Sequence, residues 1–123
     1  MARTLIVDDD LDGSALFRRW LERHGHQVTE SATGDGALRT LGEAAQGLVL
    51  LDVFLPGIAG YEVARRMAED PTLAEVPVVM ISISEKEDRP VTPNIKEWML
   101  KPFTAAQLSD VVARHAAGER ADG

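Results

Sequence analysis

Apolar and polar positions alternate in blocks along the chain, and the period of the alternation changes from block to block. Thr4 to Val7 is a short aliphatic and β-branched run closed by aspartates, the pattern of a buried strand. Leu16, Phe17, Trp20, Leu21 and His24 then fall at helical spacing, and Gly25 stands where such a helix would stop. Gln27 to Glu30 predicts a second strand, and Ala37, Leu38 and Leu41 a second helix that begins after the turn signal Thr33-Gly34-Asp35-Gly36. Leu48 to Leu51 is too short an apolar run for anything but a strand. Gly60 to Glu69 carries Val63, Ala64 and Met67 on one face with Pro71 just past its end, which predicts a third helix. Val76 to Ile81 and Glu97 to Leu100 predict the last two strands. Thr104-Ala105-Ala106-Gln107 matches a capping box, and Leu108, Val111, Val112 and His115 form a helical stripe behind it. The stretch "SEKEDRPVTPN" between the last two strands has charge, two prolines and no apolar period.

Strands that alternate with helices imply parallel pairing through right-handed crossovers, hence an α/β sheet covered on both faces. In such sheets ligands bind beyond the carboxyl ends of the strands. The chain has 123 residues, enough for one domain with its own core. No apolar run approaches the roughly 20 residues of a membrane span, so no membrane association is expected. With no Cys there is neither a disulfide framework nor a Cys-based zinc site, which fits a reducing compartment. A net charge of -7 argues against direct binding of nucleic acid, which relies on clustered Lys and Arg.

The residues just beyond each apolar run carry the chemistry. Asp8 and Asp9 follow the first strand, Asp52 the third, Ser82 the fourth and Lys101 the fifth, so a parallel sheet brings all of them to one edge. Three carboxylates that close raise one another's pKa, and a hard divalent cation relieves the conflict. Oxygen ligands with retained water suit Mg²⁺ better than a softer metal. A carboxylate, a divalent ion, an ammonium and a hydroxyl around one point suit phosphoryl transfer to the carboxylate, giving an aspartyl phosphate. Other residues read as structural. Asp10 and Asp12 favour the first helix's N-terminus by capping and charge, Gly57 and Gly60 serve turns after Pro56, and Trp20 belongs to the core. His24, His26 and His115 lack metal-ligand spacing, and Arg65-Arg66 reads as a solvated helix face.

The stretches "LIVDDD", "LLDVFLPGIAGYEV", "PVVMIS" and "WMLKPF", in this order, resemble the receiver domain of bacterial two-component response regulators over essentially the whole chain. The resemblance implies a doubly wound, five-stranded parallel sheet of the flavodoxin-like order 2-1-3-4-5 with helices on both faces. The receiver would occupy residues 1–118, with a polar tail over 119–123. It implies that Asp52 is the phosphoacceptor, and that Asp9 and Asp52 bind Mg²⁺ together with the main-chain carbonyl of Phe54. Asp8 would act mainly through a metal-bound water. Ser82 would hydrogen-bond the phosphoryl group and act in the switch, Lys101 would precede a cis proline, and Trp98 would be the switch aromatic.

The resemblance further implies a cytoplasmic protein phosphorylated by a sensor histidine kinase or a histidine phosphotransfer protein. Its output would come through protein–protein contacts, and its own chemistry would be limited to self-phosphorylation and autodephosphorylation, not enzymatic turnover. Three departures stand out. The segment from Ser82 to Lys101 is short for the family and holds Pro90 and Pro93; an interior proline costs about 3 kcal/mol in a helix, so the fourth helix is expected to be short, displaced or absent. That leaves a homodimer through the face built on this helix open, and makes residues 84–96 a segment expected to order on phosphorylation or partner binding. Ile83 stands where the family keeps a small residue, restricting access to the acceptor, and Trp98 is bulkier than the usual Tyr or Phe. Two other classes compete: a phosphorylation-independent interaction module of the same fold, and a phosphatase with an aspartyl nucleophile, which Phe54 opposes by standing where such enzymes carry a second acid.

Overall fold

The computed structural model describes residues 3–84 and 91–120. Along the chain run β1 (Arg3–Val7), α1 (Leu11–Arg23), β2 (Gln27–Ser31), α2 (Gly34–Glu43), β3 (Leu48–Asp52), α3 (Gly60–Glu69), β4 (Val78–Ser82), β5 (Ile95–Leu100) and α4 (Ala105–Arg120). All strand pairs are parallel and the sheet order is β2-β1-β3-β4-β5, as the resemblance implied.

The period-two geometry of a strand explains why β1, β3 and β4 are apolar almost throughout, because successive side chains enter opposite cores. Ile6, Leu48, Leu50, Val79 and Ile81 pack with Leu21, Leu108, Val111 and Val112 beneath α1 and α4. Leu5, Val7, Val49, Leu51, Val78 and Met80 pack with Ala37, Leu41, Val63, Ala64 and Met67 beneath α2 and α3. Strands β2 and β5 lie at the edges and are accordingly more exposed.

Helix starts follow local chemistry. Asp10 caps α1 by accepting from the Gly13 N–H at 3.2 Å, the structural role read for it in the sequence. The capping box at α4 is reciprocal: the Gln107 N–H donates to Thr104 Oγ1 at 3.1 Å, and the Thr104 N–H donates to Gln107 Oε1 at 2.8 Å. The expected turn before α2 is instead the helix's first turn. Thr33 accepts from the Gly36 N–H at 2.9 Å, and this cap lets Gly34 start the helix. Strand β4 begins at Val78, later than expected, because the Val76 N–H is held in a turn by the Leu73 carbonyl at 3.0 Å. Helix α4 runs to Arg120, into the stretch read as a tail.

Among the described residues, no helix lies between β4 and β5. Residues 85–90 of the charged segment, and the ordering expected of it, lie outside the described residues. The approach to β5 is anchored by Asn94, which is 2% exposed. Its Nδ2 donates to the Ala64 carbonyl of α3 at 3.0 Å, and its carbonyl accepts from the Val78 N–H at 2.8 Å. Among the described residues, no helix is long and apolar enough to cross a membrane.

One position in the core is polar without recompense. Thr4 is fully buried, and its Oγ1 has no hydrogen-bond partner among the described residues. Removing an orphaned hydroxyl while keeping the side chain's shape relieves a desolvation penalty, so Thr4→Val should raise unfolding free energy by about 1 kcal/mol. Urea denaturation of the two proteins measures it, and a destabilised variant would contradict the assignment.

Candidate functional site

Register sets the site. Val7 of β1 pairs with Leu51, Asp52 with Ile81, and Ser82 with Leu100, so the carboxyl ends of four strands finish level and their following residues share one edge. The Lys101 N–H donates to the Ser82 carbonyl at 2.8 Å, which continues the ladder past β5 and fixes where the lysine departs. The Lys101-Pro102 peptide is cis, as the resemblance implied. Lys101 Nζ then reaches across the sheet and donates to Asp8 Oδ2 at 3.0 Å and to Asp52 Oδ2 at 3.1 Å. Asp8 is further oriented by the Asp10 N–H, which donates to its Oδ1 at 2.9 Å.

Asp8 and Asp52 are buried while Asp9 is exposed, and one carboxylate oxygen from each of the three lies within 4.8 Å of the others. Burial raises Asp52 most, the charge of Asp8 adds to it, and Lys101 opposes both, leaving the acid at about 6. For Lys101 burial pulls the pKa down, but its hydrogen bonds to Asp8 and Asp52 and their charges outweigh this and raise it. The ammonium therefore bonds two of the three carboxylates, and the excess negative charge sits among hard oxygen donors. That donor set fits a divalent cation of the magnesium type, with two buried ligands and one open to solvent.

The remaining expected residues fall around this centre. Ser82 is buried at the end of β4, where its hydroxyl donates to the Ser84 carbonyl at 2.7 Å and accepts from the Ser84 N–H at 3.1 Å. Phe54 lies two residues beyond Asp52 in the loop after β3, its side chain exposed. Trp98 lies on β5 before the lysine, half-buried against the α2–α3 core, with its ring 5.8 Å from that of Tyr61. The histidines are elsewhere: His24 Nδ1 meets the Trp20 carbonyl at 2.9 Å and His115 Nε2 meets Glu97 at 2.8 Å. Arg65 and Arg66 pair with Glu62 on the surface of α3. Trp20 packs against the core and donates to Ser109 Oγ at 3.0 Å.

Gly57 has φ +79°, a turn conformation that favours glycine, as read from the sequence. Gly60 does something the sequence reading missed. It is the first residue of α3, not a turn residue, and a Cβ there would overlap the carbonyl oxygen of Asp52. Its N–H also donates to the Val53 carbonyl at 2.9 Å, which satisfies one of the free amides at the start of a helix whose cap residue, Ala59, offers no side-chain acceptor.

A parallel sheet of this order, with buried aspartates ending β1 and β3 and a lysine after β5 bridging them, defines a receiver domain. The family described as "Response regulator receiver domain" matches residues 4–113, and the chain belongs to it, the receiver family of bacterial two-component systems. It is 27% identical over 121 residues to protein PilH of Pseudomonas aeruginosa, covering 96% of this chain and 100% of PilH. It is 30% identical over 111 residues to the phosphate regulon transcriptional regulatory protein PhoB of Rhizobium meliloti, covering 88% of this chain but 49% of PhoB, so it spans about half of that relative. Among solved structures, the receiver domain of the sensor histidine kinase PA1611 from Pseudomonas aeruginosa, with magnesium in its active site cleft, superposes with TM-score 0.85 at 24% identity, over 94% of this chain and 98% of that one. The chemotaxis response regulator CheY4 of Vibrio cholerae gives TM-score 0.82 at 23% identity, over 93% and 98%. Both likenesses show the shared fold.

The raised acid at Asp52 has a sign. The folded chain holds that proton up to about 6 and the unfolded chain only to 3.8, so stability falls as pH rises through this window and the full penalty is present above it. In metal-free buffer Asp52→Asn should therefore be more stable than wild type at pH 7.5 by about 1 kcal/mol, discounted from the full shift for solvent screening, with the difference fading towards pH 4. Thermal unfolding at both pH values checks this; a gain that grows on acidification would contradict it.

Proposed function

We propose that Asp52 accepts a phosphoryl group from a phosphohistidine of a sensor kinase or phosphotransfer protein, in a reaction that requires Mg²⁺. The observation that carries this reading is the buried Asp52 carboxylate sharing the Lys101 ammonium with Asp8. A carboxylate oxygen of Asp52 attacks phosphorus, the new O–P bond forms as the imidazole N–P bond breaks, and the departing nitrogen takes its proton from solvent. Lys101 already contacts the attacking carboxylate, so its ammonium follows the negative charge onto a phosphoryl oxygen. The Ser82 hydroxyl, a neighbour at the same edge, exchanges its bond to Ser84 for one to another phosphoryl oxygen. Asp8, Asp9, Asp52 and the main-chain carbonyl of Phe54 would hold Mg²⁺, which when bound supplies neutralising charge to the transferred group.

The surroundings suit a protein donor. Leu11 at the start of α1, Phe54 in the loop after β3 and Ile83 just past β4 are exposed apolar side chains that follow the same strand ends as the buried acids. A surface of that kind favours contact with another protein. The chain thus acts as a cytoplasmic phosphorylated switch whose only chemistry is gaining and losing the phosphoryl group, and not as an enzyme with a separate substrate.

Intact mass after incubation with acetyl phosphate tests this. The expected result is one phosphoryl adduct that requires Mg²⁺, is absent from Asp52→Asn, and forms at least about tenfold more slowly in Lys101→Ala. Folded wild type that stays unmodified with Mg²⁺ present would overturn the reading and leave the phosphorylation-independent interaction module.

A further inference from the structure

Helix α3 touches the acceptor at one end and the entrance to β5 along its side. At the first contact the Gly60 N–H is bonded to the Val53 carbonyl at 2.9 Å, and the Asp52 carbonyl oxygen fills the space a side chain on Gly60 would need. One residue on, the Tyr61 ring meets Trp98 of β5 at 5.8 Å and 50°. One turn on, the Ala64 carbonyl accepts from the buried Asn94 Nδ2 at 3.0 Å, and Thr92 Oγ1 steadies the other end of that amide at 2.6 Å. Between these points α3 has no slack: Val63, Ala64 and Met67 are fully buried in the core. Close-packed helices shift as bodies and do not bend to absorb a displacement.

We propose that α3 is the coupling element of this domain: a change in the Asp52–Val53 backbone moves Gly60, and the helix carries that shift to Trp98 and Asn94. The proposal rests on Asp52 being the phosphoacceptor. A change of state at Asp52 then biases the segment that leads into β5 through two contacts, one aromatic and one a buried amide–carbonyl bond. Signalling confined to the adjacent strand end at Ser82 would bypass both contacts, so the two routes predict different behaviour when the contacts are cut.

The test uses the full chain labelled with ¹⁵N and follows amide resonances as Mg²⁺ and beryllofluoride, a phosphoryl mimic, are added. In wild type, Asp8, Asp9 and Asp52 should respond together with Tyr61, Ala64 and residues 94 to 98. Asn94→Ala and Tyr61→Leu should keep the response at Asp8, Asp9 and Asp52, with titration midpoints within about threefold of wild type, while losing at least about half of the shift at residues 95 to 98. Tyr61→Leu, at a half-buried site, decides the matter if the buried Asn94 variant does not fold. A full response at residues 95 to 98 in a folded variant that still binds the mimic overturns the coupling role alone. No response at Asp8, Asp9 and Asp52 in wild type overturns the phosphoacceptor reading and the coupling with it.

Discussion

The Lys101 ammonium holds Asp8 at 3.0 Å and Asp52 at 3.1 Å, and without it two buried carboxylates would face each other across neighbouring strands with no ion-pair partner among the described residues. Breaking a buried ion pair by deleting one partner typically costs about 3–5 kcal/mol, because the remaining charge is left desolvated. Here the deficit is built in, since one cation is shared by two buried acids while an exposed third carboxylate lies beside them. The apolar sheet beneath tolerates this. Strands β3 and β4 are buried at every position and fasten the acid-bearing ends from both faces. The lysine reaches the acids only because β5 lies one strand beyond β4 and its ladder continues to the Lys101 N–H.

How much of this was legible in the sequence follows from which forces act locally. Strand runs such as Leu48 to Leu51 declare themselves because both faces are buried, and the residue after each run is the one that reaches the edge. Asp10 and the Thr104–Gln107 box were readable for a similar reason: a cap is satisfied within four residues. Thr33 shows the limit, since a Gly-Asp-Gly stretch suits a turn or a capped helix start equally, and only the bond to the Gly36 N–H decides. Gly60 and Asn94 were opaque because their roles lie across the fold. Nothing near Gly60 in the chain says that the carbonyl of Asp52 will occupy its missing side chain's place, and nothing near Asn94 points to Ala64.

Burial makes Asp52 more basic than a surface carboxylate, hence a stronger nucleophile once ionised, and Lys101 keeps the ionised form accessible near neutral pH. The same burial has a mechanical corollary. A charged group on a surface loop can change state and let solvent absorb the difference, whereas Asp52 is enclosed by packed neighbours. Its side chain meets the lysine, its strand pairs with β4, and its carbonyl abuts Gly60. If Asp52 accepts a phosphoryl group as proposed, those neighbours must accommodate it. Where the neighbour is a helix whose far contacts are equally tight, accommodation and signalling would, on the proposed coupling, be one displacement seen from two ends.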